Sequence, residues 1–139
     1  MATKLRVLID LDIVLDVLQR RQPFYDMSAR VLAAVETGQI EGWIAAHSIT
    51  TLFHLYNKYQ SAGQARIKIG ELLSILPVAA VDQMVIEQAL NLPFRDFEDA
   101  VQMMAAVHAG AQYLITRNVS DYKGGAIPAL EPAELLTLV

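Results

Sequence analysis

Carboxylates stand in this chain where the neighbouring residues are apolar. Asp10, Asp12 and Asp16 interrupt the run VLIDLDIVLDVL, Asp96, Glu98 and Asp99 cluster in FRDFEDA, and Asp121 follows in TRNVSD. Ionised carboxylates in an apolar setting are costly unless they reach water or meet positive charge. A chain without cysteine has no thiolate to offer a metal, but converging acids suit a hard divalent cation, which takes oxygen ligands and keeps several waters. Such a cation can orient a phosphate and activate water for hydrolysis. It also relieves the mutual repulsion that raises the pKa values of clustered acids.

Each of these residues also has a plain structural reading. Asp12 precedes a helical pattern and suits a helix cap, with a supporting role at a site open to it. Asp16, one turn further on, reads as a solvated or structural acid that takes no part in chemistry. Asp96 can be an N-cap with Asp99 three residues on in a capping-box arrangement, Glu98 exposed between them, and Asp121 a turn residue. His47 and His108 lack metal-ligand spacing and read as structural. His54 divides between a plain surface or core histidine and a site residue. Met84, Met103 and Met104 read as core or interface packing. Arg20, Arg21, Lys58, Arg95, Arg117 and Lys123 are candidate contacts for a nucleic-acid backbone, with Arg117 best placed because it sits beside the acids of TRNVSD.

The elements that must position these residues alternate between strand and helix. LRVLI (5–9), GWIAA (42–46), PVAAV (77–81), QYLIT (112–116) and AIPAL (126–130) read as strands. Helical periodicity runs from Asp12 to Leu18, then from Tyr25 to a stop at Gly38, with a loop around Pro23 between them. Further helices are predicted from a Ser48 cap, over GQARIKIGELLSIL, from an Asp82 cap, from Asp96 to Gly110, and at the chain end with Pro132 in the first turn. This order implies an α/β fold of three layers, α/β/α, around a parallel sheet of about five strands. Ligands of such sheets bind beyond the carboxyl ends of the strands, where strand order reverses. Asp10 ends the first strand and TRNVSD follows the fourth, so their acids converge if those strands are neighbours.

The 139 residues predict one domain, and an apolar content of 54% a packed core. No apolar run reaches the roughly 18 residues of a membrane span, no secretion signal is evident, and the lack of cysteine suits a cytoplasmic address. A protein that holds nucleic acid through bulk electrostatics alone is normally basic, so with a net charge of −4 any such contact here is expected to be local or assisted by a cation.

Two families share parts of this pattern. DLDIV fits D-x-D-x-[TV] after an apolar strand, the nucleophile loop of haloacid-dehalogenase-like phosphatases, and YLITRN resembles that family's second motif. The order then fails: that family's metal-binding acids follow the second motif, whereas Asp96, Glu98 and Asp99 precede it. Taken in order over nearly the whole chain, VLIDLDIVLDVL, the Pro23–Phe24 loop, SITTL, DFEDA and LITRNVSDY resemble the PIN-domain family, metal-dependent ribonucleases that include VapC-type toxins of bacterial toxin–antitoxin pairs.

The resemblance implies a single PIN-like domain over residues 1–139 that cleaves RNA phosphodiester bonds with Mg²⁺ or Mn²⁺ held by Asp10, Asp99 and Asp121. Thr116, Arg117, Asn118, Asp12 and His54 would shape the site or contact substrate. A homodimer and a neutralising antitoxin protein are implied as partners. Two positions depart from the family pattern. Its D-T-N is Asp10-Leu11-Asp12 here, and the Glu six residues after the Ser of S-x-x-T-x-x-E aligns with His54. The second departure and the acidic balance motivate an alternative reading, a PIN-fold nucleic-acid-binding or regulatory protein with a degraded site.

Overall fold

Strands that bury side chains on both faces draw helices onto both sides of a sheet. In the computed structural model, which describes residues 4–139, the strands are β1 (Arg6–Ile9), β2 (Glu41–Ala45), β3 (Val78–Ala79), β4 (Tyr113–Ile115) and β5 (Ala129–Leu130). The helices are α1 (Leu11–Leu18), α2 (Tyr25–Glu36), α3 (Ala46–Tyr59), α4 (Ala62–Leu73), α5 (Gln83–Ala89), α6 (Phe97–His108) and α7 (Pro132–Leu136). All observed strand pairs are parallel, in the order β3-β2-β1-β4-β5. The predicted α/β/α architecture with five parallel strands is what the chain adopts.

Alternation along β1 divides the core. Val7 and Ile9 pack with Ile13, Val14, Val31 and Leu135 from α1, α2 and α7. Leu8, between them, packs on the opposite face with Val85, Ala89, Met103 and Ala106 from α5 and α6. All three β1 residues are fully buried, which is why the run reads as continuously apolar rather than alternating.

Several predicted boundaries shift. α1 starts at Leu11 with Asp10 in the N-cap position, so Asp12 lies in the first turn and is not the cap. Ser48 is no cap either: α3 begins at Ala46 directly off β2, and this places Ser48 inside the helix and buries it. Ser61 and Asp82 do cap, accepting hydrogen bonds from the backbone N–H of Gln64 and Val85, both at 3.1 Å. The predicted strands PVAAV and AIPAL contract to two paired residues each, because an edge strand pairs on one side only. The stops at Gly38 and Gly110 hold: both adopt positive φ, 82° and 75°, the left-handed conformation favoured after a helix end. No helix among the described residues is long and apolar enough to cross a membrane.

Candidate active site

β1 and β4 are the neighbours on which convergence depended. Ile9 pairs with Ile115, and the Asp10 backbone N–H donates to the Ile115 carbonyl at 2.9 Å. Beyond this last rung the chain turns into α1 on one side and into the Thr116–Asp121 loop on the other, the position where open α/β sheets place ligands.

The loop is tied to α1 by short polar contacts. Thr116, fully buried, donates from Oγ1 to Asp10 Oδ2 at 2.7 Å and accepts from the Asn118 backbone N–H at 3.0 Å. The Asn118 amide reaches Asp12 Oδ2 at 3.4 Å. Opposite, Asp96 caps α6 by accepting from the Glu98 N–H at 2.8 Å, and this leaves Asp99 one turn in, facing the loop. Tyr122 donates its hydroxyl hydrogen to Asp99 Oδ1 at 3.0 Å and accepts from Gln102 Nε2 at 2.7 Å.

These elements enclose a cavity of about 260 Å³. Asp10, Asp12, Glu98, Asp99 and Asp121 line it together with Gln102, Asn118 and Tyr122. His47, Ser48 and Thr51 of α3 form another wall, floored by Leu11, Leu15 and Leu55. Five acids therefore share one concavity, and none of the lining residues is a lysine or arginine. Burial pushes the Asp10 carboxyl above its ordinary value, against the Thr116 hydrogen bond and with the Asp12 charge adding to the rise. The Asp99 carboxyl is pushed up to about 6 by burial, opposed by the Tyr122 hydrogen bond and reinforced by Asp96, Asp10 and Asp121. Burial drives the Tyr122 phenol upward, so it stays a donor, and drives His47 downward toward the neutral ring. Among the described residues, no three of the acids and histidines are spaced as a ready-made metal ligand set.

A PIN-domain family model matches residues 6–120. The chain belongs to the PIN-domain family. Ribonuclease VapC1 of Aquifex aeolicus is 21% identical over 122 residues, 84% of each chain. Among solved PIN relatives, a toxin–antitoxin complex from Klebsiella pneumoniae superposes with TM-score 0.69 at 20% identity, covering 91% of this chain and 97% of that one. VapBC-1 from nontypeable Haemophilus influenzae gives 0.69 at 14% identity, over 93% and 99%. The sarcin–ricin-loop-cleaving toxin VapC20 of Mycobacterium tuberculosis gives 0.61 at 16%, over 78% and 86%. The D-x-D likeness to phosphatases falls away with this assignment.

Within the PIN frame, two expected placements are corrected, His54 and Arg117, and that of Asp16 is narrowed. His54 is exposed and does not line the cavity; its ring meets Phe53 edge-on at 5.8 Å. The position of α3 that faces the acids after Ser48 and Thr51 is Leu55, one residue on, because spacing of three then four residues keeps one helix face. Of the two readings of Asp16, solvated or structural, the structural one holds. Asp16 is fully buried and meets the Arg117 guanidinium, with Nε 2.9 Å from Oδ2 and Nη2 3.2 Å from Oδ1. Arg117 is thereby taken from the backbone-contact role: its side chain points to Asp16 and stacks over Phe24 at 3.9 Å from the ring centroid.

Sequence reasoning passed over Gln102 and Tyr122, and it assigned Glu98 and His47 no part in a site. Helical spacing was the available signal for Gln102, which lies three residues after Asp99 on the same face of α6. Replacing Tyr122 with phenylalanine is expected to leave the fold intact, since the edge contact with Phe94 at 6.1 Å is apolar. It removes the donor that favours the Asp99 anion, so the acid limb of any activity that needs this anion moves up by about one pH unit. A pH–rate profile checks this.

Proposed function

We propose that the chain is a divalent-metal-dependent endoribonuclease that hydrolyses RNA phosphodiester bonds and serves as the toxin of a toxin–antitoxin pair. The observation that carries this reading is the gathering of Asp10, Asp99 and Asp121, with Asp12 and Glu98, around one cavity that no lysine or arginine lines. The names of the ribonuclease and toxin relatives in the PIN family support it. Like charges brought together against burial fit a cation, and all the acidic donors are hard oxygens. Mg²⁺ and Mn²⁺ take oxygen ligands and keep several waters, so carboxylates that do not form a closed set among the described residues can share one ion partly through its waters.

Asp10, Asp99 and Asp121 would hold the metal. When bound, it would supply charge for the phosphate oxygens and a lowered pKa for the attacking water. The chain's own part is orientation. Thr116 fixes the Asp10 carboxylate, Tyr122 fixes Asp99, and Asn118 ties the loop to Asp12. Arg21, whose Nη1 lies 3.9 Å from Asp12 Oδ1, takes the phosphate-contact role at the rim that Arg117 does not fill. A protein antitoxin and a second copy of the chain are the partners in this reading. Exposed Ile67 and Leu73 on α4, and Met84 on α5, offer apolar surface for them.

Titrating Mn²⁺ while following thermal unfolding tests the metal. Ligand at a hundredfold excess over Kd stabilises by about 2.7 kcal/mol, and Asp10→Asn is expected to lose most of that response. A mixed RNA pool, incubated with Mn²⁺, reports cleavage. Leu55, apolar where an acid would face the cavity, favours the second reading, a nucleic-acid-binding or regulatory protein with a degraded site. Absence of both the thermal response and cleavage would decide for it.

A further inference from the structure

We propose that Gln102 is a positioning residue of the carboxylate site, acting through the Tyr122 hydroxyl to hold Asp99 ready for a divalent cation. The proposal rests on the metal-dependent reading above and names a residue that prepares that site. Gln102 lies three residues after Asp99 in α6, on the same face of the helix. Its neighbours Ala100, Val101, Met103, Ala105 and Ala106 fill the core, and Gln102 is buried with them, at 4% exposure. A buried amide is costly unless its polar atoms are satisfied, and packing alone would be served by a leucine or a methionine. The side chain instead lines the acidic cavity together with Asp10, Asp99 and Tyr122.

The direction of the hydrogen bonds gives the amide its role. Gln102 Nε2 lies 2.7 Å from the Tyr122 hydroxyl oxygen, and an amide nitrogen donates but does not accept. The buried phenol is therefore the acceptor at that contact, and its single hydrogen is left for Asp99 Oδ1 at 3.0 Å. With the amide turned over, its carbonyl oxygen would compete for this hydrogen and Asp99 would lose its donor. Asp10 opposes that turn, because Gln102 is also a hydrogen-bonding neighbour that favours the Asp10 anion. Buried chains of hydrogen bonds strengthen one another and fix the geometry of the groups they join. A lysine or arginine in the same place would supply donors too, but its charge would compete with a cation for the acids. The neutral amide orders Asp99 and leaves its charge to be met by metal, in keeping with a cavity that no lysine or arginine lines.

Calorimetric Mn²⁺ titration of the 139-residue chain at pH 7 compares the wild type with Gln102→Met, which keeps the length of the side chain and removes the donor. Mn²⁺ affinity is expected to fall about tenfold or more, the scale of losing a group that orients a metal ligand. Tyr122→Phe should cost a similar factor. Adding Gln102→Met to Tyr122→Phe should then cost no more than about twofold further, because the hydroxyl through which the amide acts is already gone. A packing defect would instead lower affinity by the same factor in either background. Thermal unfolding without metal checks that each variant is folded, and Gln102→Leu takes the place of Gln102→Met if the latter does not fold. Wild-type affinity in Gln102→Met overturns the proposal, as does an undiminished loss from Gln102→Met in the Tyr122→Phe background. A wild type that binds no Mn²⁺ removes the metal-dependent reading and the proposal with it, so the two failures are told apart.

Discussion

Replacing Arg117 with alanine is expected to lower the stability of the protein by about 3–5 kcal/mol, read as a fall in the urea midpoint at an unchanged slope. The reason is the carboxylate left behind. Asp16 is fully buried, and besides the guanidinium its carboxylate has, among the described residues, the Ser28 hydroxyl donating to Oδ2 at 3.1 Å. Breaking a buried pair from one side strands a charge with no water to receive it. The pair is asymmetric, since the Arg117 side chain keeps 21% of its exposure against none for Asp16. Asp16→Ala should therefore cost less than Arg117→Ala, because the freed guanidinium can turn to solvent.

Replacing both at once, Asp16→Leu with Arg117→Met, should recover most of the loss, as paired apolar substitutions of buried ion pairs do. The pair Arg6–Glu41 is a useful contrast. Its atoms lie at a similar 2.8 Å, but its side chains are 40% and 44% exposed, and its removal should cost no more than about 1 kcal/mol. An Arg117→Ala protein as stable as the wild type would refute the clamp.

A second substitution is expected to move stability and activity in opposite directions. Asp99→Asn should cut RNA cleavage by about a hundredfold or more, the scale of losing a residue that holds or orients a catalytic metal. Without metal it should raise the melting temperature at neutral pH. The sign follows from linkage. The Asp99 carboxyl, at about 6 in the folded chain against an ordinary 3.8, binds a proton in the folded state over a range where the unfolded chain has released it. Stability in the absence of metal therefore declines as pH rises through that window, and at pH 7 the ionised group opposes folding. Asparagine removes the charge and the repulsion from Asp96, Asp10 and Asp121.

In the wild type, the same titration requires Mn²⁺ affinity and cleavage to rise as pH passes about 6, because a protonated carboxyl is a poor ligand. Calorimetric Mn²⁺ titrations at pH 5 and pH 7 check this. Equal affinity at both would place Asp99 outside the metal site. Residues that depress stability while supporting chemistry are the expected signature of an active site.

The acids most legible in the sequence were those whose placement depends on local rules. Asp10 is marked by the end of a fully apolar strand, and Asp96 by the start of a strong helical pattern with a cap. Phase was harder to read. His54 and Leu55 differ by one residue, about 100° around a helix, and only the packing of α3 on the sheet decides which faces the acids. Ser48 was misread as a cap because nothing local reveals that β2 runs into α3 without a loop.

By itself, the sequence determined the alternation of strands and helices, the parallel sheet and the two strand ends from which acids project, since apolar periodicity and capping act over a few residues. The tertiary structure alone decided which charges are partners. Asp16 and Arg117 lie 101 residues apart, and each taken alone looks like a surface charge. The pairing of β1 with β4 brings the Thr116–Asp121 loop against α1. The same register directs Arg117 inward to Asp16 and holds Thr116 on Asp10. Asp99 acquires its raised pKa in the same way, from burial and neighbouring charges that exist only once α6 has packed on the sheet.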